Sequence, residues 1–350
     1  MKASLETELW PVRYKPLPDE LLSSWLVRIA HGHGLKVQTF CNLIFGNQRQ
    51  LWNRDIDRLA PIWLVETLAQ RTATPSQRAW LTTLQGFDGV LCRFRAAGEL
   101  QWIQTLQMYH RTREGYGQQF CPLCLSTDQV AYFRKSWRTA MKTMCLTHEC
   151  MLVDRCIECN AAVSFHRTDM GKGPWNPDAS MRMCYACGFD LADTPAAAPP
   201  WHACPEALST LCWLVEEVDK LSMGEASKIH IGFADVLHHW VALMLSRKPA
   251  IQLNAYLADH IGADAIEIPG TKRVSVEGLP NSQRHQLLLQ AAWLLLDPVN
   301  RIRQAWKDKA FRYNHLVRDF DHIPDWYQRG VVDQIERRPY THRTQSRQSR

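Results

Sequence analysis

The chain has 350 residues, a 46% apolar fraction, twelve cysteines and a formal net charge of +6. That is sequence enough for two or three domains with ordinary cores, and too apolar for a disordered chain. The charge is a weak argument for nucleic acid: Glu336 to Arg350 holds five arginines against one glutamate, which leaves about +2 for all that precedes it.

In chain order, Met1 to Glu20 mixes acids, bases and prolines without an apolar run, so no secretory leader is expected. Pro18-Asp19-Glu20 signals a helix start, and Leu21, Leu22, Trp25, Leu26, Ile29 and Ala30 then recur at helical spacing. His31-Gly32-His33-Gly34 breaks this helix. A second short one follows, with Val37, Phe40, Cys41 and Ile44 on one side and Gly46-Asn47 as its stop. The pair is compatible with a helix-turn-helix. In that reading the second helix offers Lys36, Gln38, Thr39 and Asn42 to phosphates and base edges; in an ordinary helical hairpin the same face meets solvent or a partner. Further helices are predicted to start at Pro61 and at Thr74-Pro75, where Thr caps and Pro takes the first turn.

From Phe120 to Asp190 cysteines gather and long apolar periodicity fades. Leu191 to Pro200 reads as an Ala/Pro linker. Helices are then predicted over Pro205 to Leu221, Ile229 to Leu245, Gln283 to Leu296 and Pro298 to Phe320, with a disordered basic tail at the end. The expected fold is mainly α with small zinc-ribbon elements. It comprises a helical N-terminal domain over 1–115, a tandem zinc-binding region over 116–192, a helical C-terminal domain over 201–335 and the tail over 336–350. The longest apolar run, Leu287 to Leu296, is about half the roughly 20 residues of a membrane span, so a soluble cytoplasmic protein with no membrane partner is expected.

In a reduced compartment, clustered cysteines point to metal more than to disulfides. Cys121-Pro-Leu-Cys124 and Cys145-Leu-Thr-His148 make one set of knuckles; Cys156-Ile-Glu-Cys159 and Cys184-Tyr-Ala-Cys187 make another. Each knuckle presents two ligands on a tight turn, and two knuckles complete a tetrahedral zinc site with no open position. Two structural zinc ions are therefore expected. The competing readings are paired buried thiols, interleaved knuckles, and Cys150 in place of His148. Cys41, Cys92, Cys204 and Cys212 lie in apolar or helical contexts and read as small buried hydrophobes.

No catalytic residues are identified. The deaminase pairing of a histidine with a glutamate two residues on is absent, as are H-E-x-x-H, the phosphate-cradling G-x-x-x-x-G-K-[ST] and G-x-S-x-G. Arg134, Arg138 and Lys142, with Lys135 adjacent, would make a basic stripe on a helix, suited to DNA phosphates or else solvated or paired with acids. His238-His239 and the Trp and Leu positions of the C-terminal helices read as core or surface.

Several of these segments carry a resemblance. Pro18 to Arg28, Phe120-Cys-Pro-Leu-Cys-Leu with Tyr132 to Arg138 and Cys145-Leu-Thr-His148, and Leu152 with Asp154-Arg155-Cys156 and Cys159 resemble the TniQ/TnsD family. So do Arg284-His285 with Ala291 to Leu295, and Ile323-Pro324-Asp325-Trp326-Tyr327. The resemblance implies a non-enzymatic transposition factor that selects the insertion site. It implies as partners target DNA or a DNA-bound or RNA-guided targeting complex, an AAA+ ATPase, and through that ATPase the transposase. It places the family's zinc motif on Cys121, Cys124, Cys145 and His148, and a second ribbon of longer members on Cys156, Cys159, Cys184 and Cys187. The sequence leaves room for a homodimer. Competing functions are a zinc-containing sequence-specific DNA-binding regulator and a metal-dependent nuclease.

Overall fold

The computed structural model describes residues 5, 8–46, 51–95, 97–109, 112–113, 115–170, 180–200, 204–268 and 274–335; the expected basic tail lies outside the described residues. These hold twelve α-helices and two short antiparallel hairpins. Helices α1 (Leu22–Gly32) and α2 (Val37–Phe45) form where the apolar spacing predicts them, with four residues between. Glu20, read as a helix-start acid, caps nothing in α1. Its carboxylate is buried and accepts from Arg28 Nε and Nη2 at 2.7 and 2.6 Å and from Ser24 Oγ at 3.0 Å. Gly32 lets α1 end against the segment around Tyr14, since a Cβ there would stand 2.4 Å from the Tyr14 ring.

Helices α3 (Ile56–Leu59), α4 (Ile62–Arg71) and α5 (Ser76–Trp80) follow. At α5 the cap position is Pro75, not Thr74, whose hydroxyl meets that of Thr72 at 2.7 Å instead. Strands β1 (Met108–Tyr109) and β2 (Thr112–Arg113) pair before α6 (Pro122–Thr127). Strands β3 (Met144–Cys145) and β4 (Cys150–Met151) form the second hairpin, with Cys145 opposite Cys150.

The C-terminal helices are α7 (Pro205–Met223), α8 (Ile231–Met244), α9 (Leu253–Ile261), α10 (Asn281–Leu296), α11 (Pro298–Lys307) and α12 (Asp325–Gly330). Helix α10 packs along α7 and also meets α8, α9 and α11, and its residues Leu287 to Ala292 are all buried. That all-round burial is the signature of a central helix. The helix expected over Pro298 to Phe320 stops at Lys307. Lys309 takes a left-handed φ of 64°, Ala310 N–H returns to Ala305 O at 2.9 Å, and Ala310 O then receives Gln252 N–H at 2.7 Å. This closing bond pattern ends helices without a proline or glycine when tertiary contacts hold the turn.

One apolar core cluster runs through every part, from Trp25 of α1 through Phe120 and Trp137 to Leu214, Trp240 and Leu288. Polar ties cross it as well. Leu21 N–H donates to Phe133 O at 2.9 Å, and Phe120 and Val153 exchange two backbone bonds of 2.9 Å. From α10, Asn281 Nδ2 donates to Thr143 O and Leu152 O at 2.8 and 2.6 Å. Fully buried Arg284 reaches Gln119 Oε1 at 3.0 Å, Leu279 O at 3.0 Å and Ala140 O at 3.4 Å. Burial brings its pKa down to about 10. No helix among the described residues is long and apolar enough to cross a membrane.

Candidate metal centres

The first centre grows out of α6 and the β3–β4 hairpin. Cys121 is the N-cap of α6, with its sulfur accepting Cys124 N–H at 3.3 Å, and Pro122 fixes the first turn. One helical turn therefore aims both sulfurs the same way. Opposite them, β3 delivers Cys145, and the hairpin turn, with Glu149 at φ 48°, folds His148 back over it. His148 Nδ1 lies 3.5, 3.3 and 3.6 Å from the sulfurs of Cys121, Cys124 and Cys145, and Cys124 Sγ lies 3.7 Å from Cys145 Sγ.

The second centre uses two matching turns. Asn160 N–H returns to Cys156 O at 3.0 Å and Gly188 N–H to Cys184 O at 2.9 Å, with Asn160 and Gly188 at φ 59° and 75°. Asn and Gly are the residue types that accept this left-handed geometry most readily. Cys156 Sγ stands 3.6 Å from Cys187 Sγ, and Cys159 Sγ 3.6 Å from Cys184 Sγ. The Phe189 N–H holds the Cys187 thiol below the ordinary range, while burial pushes Cys184 up to about 12.

Both sets fit a tetrahedral ion. Zinc–sulfur bonds of about 2.3 Å put neighbouring sulfurs about 3.8 Å apart, close to the 3.6 and 3.7 Å seen here. In each set all four donor atoms lie within 4.8 Å of one another. Knuckles adjacent in sequence share a centre; the interleaved arrangement is not what the fold brings together. His148 completes the first set. Cys150 sits beside it on β4, 3.5 Å from Cys121 Sγ, as a fourth sulfur and fifth potential donor. The four cysteines read as small hydrophobes behave so in part: Cys41, Cys92 and Cys204 are buried and Cys212 half-buried, and burial raises Cys41 to about 12 and Cys92 to about 11.

The family model named TniQ matches residues 11–152. The chain carries a TniQ domain. No curated protein matches the chain. The TniQ match contains all four donors of the first centre and stops short of the second, whose ligands begin at Cys156. A TniQ domain implies a part in choosing where a transposon inserts.

Within the TniQ domain the expected basic stripe does not form. Arg134 to Lys142 is no helix; Ser136–Arg138 is one 3-10 turn, and its cations point inward. Arg138 is fully buried, with Nη2 at 2.6 Å from Asp55 and 3.0 Å from Gln104 O and Nη1 at 3.4 Å from Asp57. Lys135 is equally buried, its ammonium donating to Leu81 O at 2.6 Å above the Phe87 ring. Burial lowers its pKa to about 8 against the upward pull of Asp19. Lys142 is nearly buried and paired with Asp219 of α7. Arg134 is half-buried, forked onto Asp128 at 2.9 Å twice and stacked between Tyr132 and Trp137. The i, i+4, i+8 spacing has no helix to act on, and Asp55, Asp57 and Asp219 reach these cations from distant parts of the chain.

On α2, Thr39 is exposed, while Lys36, Gln38 and Asn42 are half-buried and Gln38 Nε2 donates to Asn42 Oδ1 at 3.0 Å. The start of α2 is held from a distance: Asp169 accepts Val37 N–H at 2.7 Å and lies 3.1 Å from His31 Nε2. Asp169 belongs to the loop between the knuckles of the second centre, and nothing local to α2 advertises it. His238 meets Glu277 at 3.1 Å and His239 meets His315 O at 2.9 Å, so neither joins a metal set.

Proposed function

We propose that this chain is a non-enzymatic target-selection adaptor of a transposition machinery, held in shape by two structural zinc ions. It joins target DNA, or a DNA-bound or RNA-guided targeting complex, to an AAA+ ATPase that in turn engages the transposase. The observation that carries the reading is the first centre itself. It lies inside the TniQ match, its four protein donors fill a tetrahedron, and its surroundings share the core of the flanking helices. A zinc ion closed in this way supplies rigidity instead of a substrate position. The Cys and His donor set suits zinc over magnesium or calcium, which take oxygen ligands. With Lys135, Arg138 and Lys142 buried, the exposed side of α2 around Thr39 is the expected contact face that stays open to base edges or phosphates.

The test is co-purification of the full chain with its candidate ATPase, with and without target DNA, alongside metal analysis. The expected result is two zinc ions per chain and a complex that forms with the ATPase and strengthens with DNA. A zinc-replete, folded chain that ignores the ATPase with and without DNA would overturn the proposal.

A further inference from the structure

Lined by none of the donors of either centre, a cavity of about 650 Å³ opens where α8 ends. Its floor is aliphatic, with Leu243 from α8, Leu245 at the cap that closes it, Ile251 from the following loop and Val276 from the segment before α10. Its rim is cationic. Arg247 and Lys248, and Arg318 from the stretch after α11, stand exposed there. Among the described residues lining it there is one acid, Asp319, 3.5 Å from Arg318. Glu277, behind the wall, is taken up by His238 and by the Trp102 N–H at 2.7 Å. The pKa of His315, also in the lining, is lowered, by burial first and then by the charges of Arg318, Lys248 and Arg312.

We propose that this cavity docks a short peptide segment of a partner protein in which an aliphatic side chain is flanked by aspartates or glutamates. The volume is within the range of about 300–1,000 Å³ typical of ligand sites. Cations from two separate stretches around an apolar floor give an acidic segment complementary charge and its aliphatic anchor an apolar seat. A nucleic-acid strand fits less well. Bases bind sequence-tolerant sites by stacking on aromatic faces, and no Phe, Tyr or Trp is among the described lining residues. The inference is independent of the target-selection reading.

The experiment is selection from a phage-displayed random 12-residue library on the immobilised, zinc-loaded full chain, followed by anisotropy with fluorescein-labelled winning peptides. Enriched peptides should carry Leu, Ile or Val between acids. Their affinity should fall at least tenfold in R247E/K248E and in R318E, and stay unchanged in Arg329→Glu on α12. Because the rim residues are exposed, circular dichroism and zinc content should match the parent in all variants. Val276→Trp, which fills the floor, should also abolish binding. No enrichment, enrichment of peptides without acids, or binding that survives both rim variants would overturn the proposal. So would a labelled single-stranded oligonucleotide that binds tightly and loses its affinity in the same rim variants.

Discussion

Removing Arg138 separates a structural cation from a DNA-contacting one. Its guanidinium is fully buried and serves two carboxylates, Asp55 at 2.6 Å and Asp57 at 3.4 Å. Asp57 is itself 1% exposed and keeps two other donors, Ser23 N–H at 2.7 Å and Ser23 Oγ at 2.8 Å. In Arg138→Ala those serine bonds remain, but two negative charges lose their counter-ion and Gln104 O loses a donor. Breaking one side of a buried pair typically costs about 3–5 kcal/mol, a large share of the roughly 5–15 kcal/mol that holds a domain folded. Urea unfolding followed by circular dichroism measures it, with Thr39→Ala on the exposed face of α2 as a control expected within about 0.5 kcal/mol of the parent. Arg138→Lys should recover only part of the loss, because an ammonium cannot fork between the two acids. If Arg138→Ala unfolds within about 1 kcal/mol of the parent while DNA affinity drops, the buried-pair reasoning is wrong and the side chain faces nucleic acid.

Two further outcomes follow from the geometry. His148→Ala should lower the zinc content from two ions per chain towards one while Cys150→Ser keeps both; the reverse pattern by metal analysis would make Cys150 the fourth donor. Lys135 titrates near pH 8 when folded and near 10.5 when unfolded, so between those values the unfolded chain holds the extra proton. Stability should therefore rise as the pH climbs from about 8 to 10, by at most roughly 1.4 kcal/mol for each step of one in pH, and this rise should vanish in Lys135→Met. A parent whose urea midpoint runs parallel to that of the variant across the window would show that the ammonium is solvated, with the same pKa folded and unfolded.

How much the sequence reveals depends on the range of the interaction. The donors of both centres are legible because each knuckle is a local turn, and adjacent knuckles are the ones that meet. Helices α1 and α2 are legible from apolar spacing, α4 from its start signal at Pro61, and α7, α8 and α10 as helical stretches close to their observed ranges. Helix α9 is absent from the sequence reading although Leu253, Leu257 and Ile261 keep helical spacing and Gly262 closes it at φ 69°. The other departures involve distant partners. Arg138 and Lys142 turn inward because Asp55, Asp57 and Asp219, 83, 81 and 77 residues away in sequence, reach them. The end of α11 is set by Gln252 arriving from another element, and the cap of α2 is Asp169, 132 residues on.

The TniQ match ends at Leu152, one residue after β4, yet the chain makes no physical break there. Phe120, next to a metal donor, has its strand-like neighbour at Val153, and two buried side chains of α10 supply the hydrogens that Thr143, Leu152, Ala140 and Gln119 accept. A fragment trimmed to the matched portion would expose those acceptors and shed one edge of the ion's cradle. The unit that inheritance marks and the unit that folds are different lengths of this polypeptide, and transplanting the former into another protein would have to carry α10 with it.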